Sequence, residues 1–226
     1  MIFCLPGLFA AAVCFGGGSE VGGRCDFDSA RFVKGDECRI IGAFGVSRRT
    51  NFDVADEESA EDKKILVVEA KEASGFLIFR IKGVDLRKYP YMRWRWRIVR
   101  RLNLRDDDTD EPDDQACVVY IVDGSQLNQK CVGYRWEHNT PVGAKRMLNY
   151  AGLRKVQAIC LRNRKTPIGE WVEEERNVVA DFKAAFGRIP SPKFVISIGG
   201  NSQHSNSDTR VEIDYIEFRS APKPEK

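Results

Sequence analysis

Asp113 and Asp114 close an acidic run, Asp106-Asp107-Asp108-Thr109-Asp110-Glu111-Pro112-Asp113-Asp114, and a third acid of interest, Glu174, lies far along the chain. Glycoside cleavage needs such carboxylates in pairs, one acting as acid and the other as base or nucleophile across the scissile bond. Nothing in their spacing brings these three together. The competing reading of Asp113 and Asp114 is structural: each abuts a strand and can cap a turn or pair with Arg95 or Arg97 on a neighbouring strand. The whole run offers hard carboxylate oxygens of the kind calcium takes, which makes calcium the one candidate cofactor. The glycine and terminal glutamate of an EF-hand loop are absent, and a solvated acidic loop is the plainer expectation.

Aromatic residues suggest a second chemistry. Tyr134, Trp136 and His138 follow one another at strand spacing, and Tyr120 lies on the run before them. Rings on a sheet face can stack on the C–H face of a sugar, while nearby Arg, Asp and Asn side chains hydrogen-bond its hydroxyls. Tyr134 and Trp136 are read as facing a ligand, Trp94 and Trp96 as core, and Trp171 as the anchor of a helix. Glu174, Arg176 and Asn177 form a local network at that helix's start, explained by an Asn cap and a nearby Glu–Arg pair. The ligand-binding candidates are therefore Arg95, Arg97, Asp113, Asp114, Tyr134, Trp136, Glu174, Arg176 and Asn177. No catalytic or metal residue is assigned. The two histidines, His138 and His204, come without a nucleophile elbow or a Cys–His signature. No phosphate-binding glycine loop occurs, so no nucleotide cofactor is expected.

These residues sit on short runs rich in branched and aromatic side chains. The runs are Ile65–Val68, Phe76–Ile81, Tyr91–Val99, Ala116–Val122, Cys131–Glu137, Val156–Leu161, Phe194–Ile198 and Val211–Phe218. In Tyr91–Val99, Met92, Trp94, Trp96 and Ile98 alternate with Arg93, Arg95 and Arg97, the period of two of a half-buried strand. The last run alternates Val211, Ile213 and Tyr215 against Glu212 and Asp214. Turn residues between the runs predict an all-β fold, a jelly-roll-like antiparallel β-sandwich. One segment, Trp171–Phe186, carries apolar residues at helical spacing, with Asn177 as N-cap and Gly187 as the residue past the end. It predicts one short helix on the edge of the sandwich.

Hydrophobic residues make up 42% of the 226 residues and charged ones 31%, values that exclude a wholly disordered or polytopic membrane chain. The net charge of +3 is too balanced to point to nucleic acid. Basic residues between Arg87 and Arg105 are followed at once by the acidic run, which would repel phosphates. Residues 1–19 are read as a signal segment: Ile2–Phe15 is apolar and too short to span a bilayer, with small residues Ala10, Ala11 and Ala12 near a possible cleavage point. No basic residue precedes Arg24, and Val13 before Cys14 is bulky for a lipid-attachment site. Residues 20–220 are expected to form a single domain and 221–226 a frayed tail. Beyond residue 20 the cysteines are Cys25, Cys38, Cys117, Cys131 and Cys160. Cys25–Cys38 can close a small loop and Cys117–Cys131 can face each other across a hairpin, or each can be a small buried hydrophobe.

Several of these pieces together resemble a family of exported bacterial proteins catalogued as domain of unknown function 3047. They are Trp94-Arg95-Trp96-Arg97-Ile98; Asp113-Asp114-Gln115-Ala116 leading into Val118-Val119-Tyr120; Tyr134-Arg135-Trp136 with Pro141-Val142-Gly143; and Trp171-Val172-Glu173-Glu174-Glu175-Arg176-Asn177-Val178 with Asp181 and Phe186-Gly187. The likeness covers roughly residues 65 to 218. It implies a jelly-roll sandwich and export to the periplasm or beyond, and it implies no activity. The loop before the last strand, Asn201 to Thr209, is longer and less acidic than the family's. The function expected from these readings is a non-catalytic glycan- or small-ligand-binding module. The alternatives are a carbohydrate-active enzyme using paired carboxylates and a structural envelope or interaction protein.

Overall fold

The computed structural model describes residues 19–27, 31–34, 38–42, 46–105, 113–125 and 127–224. Strands β1 (Val21–Cys25), β3 (Asn51–Asp56), β4 (Lys64–Lys71), β6 (Tyr91–Arg100), β11 (Val172–Asn177) and β13 (Asp208–Arg219) form one sheet. Its order is β11-β6-β13-β4-β3, with β1 beside the C-terminal half of β13. The second sheet contains β2 (Cys38–Gly42), β5 (Ser74–Phe79), β7 (Gln115–Ser125), β8 (Asn128–Trp136), β9 (Lys145–Tyr150), β10 (Arg154–Arg162) and β12 (Val195–Asn201). Its order is β2-β5-β12-β7-β8-β10-β9, and β8 with β10 is its parallel pair. The expected jelly-roll sandwich is what forms.

Each sheet turns one face inward. Met92, Trp94, Trp96 and Ile98 of β6 are all buried between the sheets, as the alternation required. They meet Val119 and Ile121 of β7, Val132, Tyr134 and Trp136 of β8, and Ile196 and Ile198 of β12. Four rings tie the sheets together across this core. Trp94 lies 5.3 Å from Tyr134 and Trp96 lies 5.2 Å from Trp136, centre to centre, while Trp94 and Trp96 meet edge-on at 5.6 Å. The edge-to-face contacts of Trp96 with Trp94 and Trp136 add to the large apolar area such rings bury.

Two expectations are corrected. In β13 the strict alternation breaks: the ladder to β6 shifts register between Ile213 and Tyr215, so Val211, Ile213, Ile216 and Phe218 enter the core. Tyr215 turns to the outer face, under the Arg24 guanidinium at 4.1 Å, and its hydroxyl donates to Glu173 at 2.7 Å. An extra residue in one strand reverses the facing of everything beyond it. The second correction concerns Trp171–Phe186. The helical stretch is shorter than that segment: α2 runs Val178–Phe186, and residues 172–177 are an edge strand paired with β6. The caps are as expected, Asn177 accepting from the Ala180 amide and Gly187 taking the left-handed conformation. A four-residue helix α1 (Arg31–Lys34) was not foreseen, nor were β1, β2, β3, β9 and β11.

The hairpin cysteines do not meet. Cys117 stands opposite Trp136 and Cys131 opposite Val122, and the two thiols lie on opposite faces of the sheet. Burial pushes both thiols up, Cys131 to about 12, so they are inert small hydrophobes. Residues 1–18, with the apolar run and Cys14, lie outside the described residues, as do 225–226 of the tail. Among the described residues no helix is long and apolar enough to cross a membrane.

Candidate functional site

The second sheet's outer face holds a cleft of about 510 Å³. That volume falls within the range of small-ligand sites. Its floor comes from β5, β7 and β8. Phe76 of β5 and Tyr120 of β7 lie with ring centres 6.2 Å apart and the rings inclined by 58°. They can lie down on the sheet because the neighbouring strands present glycine there. A Cβ on Gly133, which faces Tyr120 across the ladder, would come within 2.3 Å of the Tyr120 ring, and one on Gly199 within 2.5 Å of the Phe76 ring. Val118, Cys131 and Val156 complete an apolar patch under these rings.

The polar wall is built around Arg135 of β8, which is buried yet charged. Its Nη1 donates to Glu137 at 2.9 Å, and its Nη2 donates to Asp113 at 2.7 Å and to Gln115 at 2.8 Å. Burial alone would lower its pKa, but the neighbouring Tyr120, Asp113 and Glu137 more than offset it, so the guanidinium stays protonated. Arg146 bonds the same Glu137 oxygen, Oε1, that accepts from Arg135. Tyr150, at the end of β9, donates its hydroxyl to the second oxygen of Asp113. Burial and then that carboxylate hold the Tyr150 hydroxyl above its ordinary pKa, so it remains a donor. At the other end Arg154 of β10 donates from Nε to Gln129 at 2.7 Å, with its guanidinium 5.7 Å from the Phe76 ring centre. Asn201, Gln203 and His204, from the end of β12 and the loop beyond, close the rim.

The structure distributes the candidates of the sequence reading over both sheets rather than collecting them. Of the ligand-binding candidates Asp113 alone lines the cleft, joined there by Tyr120 from the aromatic set. Asp114, one residue on, points inward and is buried, its Oδ2 accepting from the Ser205 amide and hydroxyl at 2.7 Å each. Neither aspartate pairs with Arg95 or Arg97. Those arginines lie on the outer face of the other sheet, Arg95 bonded to Asp214 at 2.7 Å and Arg97 to Glu212 at 2.7 Å. Trp171 is packed there too, its ring centre 4.8 Å from the Arg95 guanidinium and 4.4 Å from that of Arg97, so it braces charged side chains instead of anchoring α2.

Tyr134 and Trp136 are fully buried core residues, which removes them from any ligand-facing surface. Glu174 accepts from the Trp96 indole at 3.1 Å and from Arg162. Arg176 forks onto Asp181 at 2.8 and 2.9 Å, and Asp181 also accepts the Tyr134 hydroxyl at 3.0 Å. With the Asn177 cap, this network ties α2 to the sheet, and none of its members lines the cleft. The acidic run before Asp113 lies outside the described residues. Among the described residues no group of three or more His, Cys, Asp or Glu side chains is placed to hold a metal ion.

The sequence reading passed over Arg135, Gln115, Gln129, Arg154, Tyr150 and Phe76. One signal for Arg135 was present. In Tyr134-Arg135-Trp136 the period of two sends the arginine to the face opposite the two rings. Once the rings are core, the arginine must lie on the outer face, in the cleft.

Fold and cleft define the class: a two-sheet β-sandwich with a ligand-sized groove on one sheet. The chain belongs to the family described as protein of unknown function (DUF3047), whose model matches residues 42–217. No curated protein matches the sequence. Among solved structures, a family 11 carbohydrate-binding module from Clostridium thermocellum is similar at 10% identity, over 91% of this chain and 100% of that one, with a TM-score of 0.46. A carbohydrate esterase from the Shiga toxin-encoding bacteriophage phi24B is similar at 11% identity, over 91% of this chain and 100% of that one, with a TM-score of 0.43. A family 12 xyloglucanase from Bacillus licheniformis follows at 9% identity, over 89% and 99%, with a TM-score of 0.43. At this level of likeness none of them speaks to what this chain binds.

Proposed function

We propose that the protein is an exported glycan-binding module whose site is the cleft of the seven-stranded sheet. The observation that carries this reading is the pairing of a glycine-lowered aromatic floor, Phe76 and Tyr120, with a wall of amide and guanidinium groups. A sugar ring needs that combination: an apolar face for its C–H groups and directional partners for its oxygens. The cleft is preorganised for binding, because Arg135 is locked by Asp113, Gln115 and Glu137. Asp113, the carboxylate among the described lining residues, is held by Arg135 and Tyr150, the arrangement of a scaffold group. That favours binding over paired-carboxylate cleavage, which requires a second acid across the groove. The apolar run Ile2–Phe15 supports export.

The test is a glycan array followed by calorimetry on the folded protein. Saturable binding to a glycan is expected. Gln129→Ala, at the wall, should weaken it about threefold to tenfold, the worth of one hydrogen bond. Trp171→Ala, on the opposite sheet, should leave it unchanged. Folded protein that binds no glycan, or binding that depends on Trp171 and not Gln129, would overturn the reading.

A further inference from the structure

Hydrogen-bond accounting in the cleft leaves a one-sided remainder. The lining acceptors are largely engaged. The oxygens of Asp113 accept from Arg135 and Tyr150. Gln115 Oε1 accepts from Arg135 at 2.8 Å, and Gln129 Oε1 from Arg154 at 2.7 Å. Asn201 donates to the Asp113 carbonyl at 2.8 Å and accepts from the Gln203 amide at 3.4 Å. The amide orientations are forced, because a guanidinium only donates and a carbonyl only accepts. The Gln203 oxygen, at the rim, is left open.

The donors are in the opposite condition. Among the described residues, the NH₂ groups of Gln115 and Gln129 and both terminal nitrogens of Arg154 have no partner. Arg135 Nε is buried and unpartnered as well. Charge follows the same pattern. Arg135 is balanced by Asp113 and Glu137, whereas the partner of Arg154 is a neutral amide and no carboxylate of the described residues pairs with it. A half-buried guanidinium that lines the cleft with both terminal nitrogens unpartnered is a fork suited to a carboxylate, which it can hold by two parallel bonds.

We infer that the cleft selects acidic glycans, chains carrying uronic-acid units, and that Arg154 with the Gln129 amide receives the sugar carboxylate. This rests on the glycan-binding reading and narrows it to a ligand class. The sugar ring lies over Phe76 and Tyr120, and its carboxylate points toward the β8–β10 end of the groove.

The experiment uses the full chain and a panel of uronate oligomers, galacturonate, mannuronate and glucuronate, each as the free acid and as its methyl ester, with neutral cello-oligosaccharides beside them. At low salt the acid should bind about ten- to a hundredfold more tightly than its ester, the range of a charge-assisted pair. The preference should shrink as salt rises. In Arg154→Gln the acid-to-ester ratio should fall towards one, and Arg154→Lys should restore part of it. A thermal melt of each variant confirms that the fold is intact. Equal or tighter binding of esters or neutral chains would overturn the carboxylate inference while leaving the glycan reading standing. No binding of any glycan by folded protein would overturn both.

Discussion

Trp136 shows how one residue's facing decides its role. It is fully buried and meets Trp96 of the opposite sheet edge-on. A ring that bridges two sheets cannot be removed without leaving a cavity that neither sheet can fill by itself. Trp136→Ala should therefore destabilise the protein by about 3–5 kcal/mol, read from chemical denaturation. A variant as stable as the parent would show that the ring does not bridge the sheets. Its neighbour Arg135, one position back on the same strand, carries the site. Glu174 and Arg176 look like site residues by type, yet each is occupied by a partner that fastens the helix or the indole above it. Residue type proposes a chemistry; the partner already present decides whether it is available.

At the scale of the element, β8 and β12 make the cleft by what they lack. Gly133 and Gly199 leave room for the Tyr120 and Phe76 rings to lie flat. Gly133→Ala should push the Tyr120 ring upward into the groove, because the new methyl would sit 2.3 Å from a ring carbon. The expected result is a folded protein with glycan affinity lowered at least severalfold by calorimetry, since the shifted ring occupies ligand space. Unchanged affinity would mean that the ring moves sideways and that its low position is irrelevant to binding. The period of two placed β6 correctly, with tryptophans inside and arginines outside. It misplaced Tyr215, because a register shift is a property of two strands together and has no mark on one. The strand β11 was hidden for a related reason: Val172–Asn177 is a polar edge strand, and only its pairing with β6 makes it one.

Across the whole molecule, the outer face of the six-stranded sheet is a lattice of ion pairs that joins β1 to β13. Arg24 of β1 contacts Asp26, Glu61, Asp62 and Glu217. Asp26 is held above its ordinary value of 3.8, at about 6, by burial first, with Asp62 also raising it against the opposing pull of Arg24. The folded state thus binds this proton more tightly than the unfolded chain does. The corresponding stability is complete below about pH 4 and is lost as pH rises through 6. Asp26→Asn, which mimics the protonated form, should retain it. The melting temperature of the variant relative to the parent should rise between pH 4 and pH 7, and a difference independent of pH would refute the shift. By itself the sequence determined the sandwich class, eight of the strands, the caps of α2 and the family, because alternation and capping are local and leave a local record. Only the tertiary structure decided which face of β8 is core, which acids are already paired, and where the cleft lies. A strand's two faces differ in sequence only by type, and what each side meets is set by the sheets that close over it.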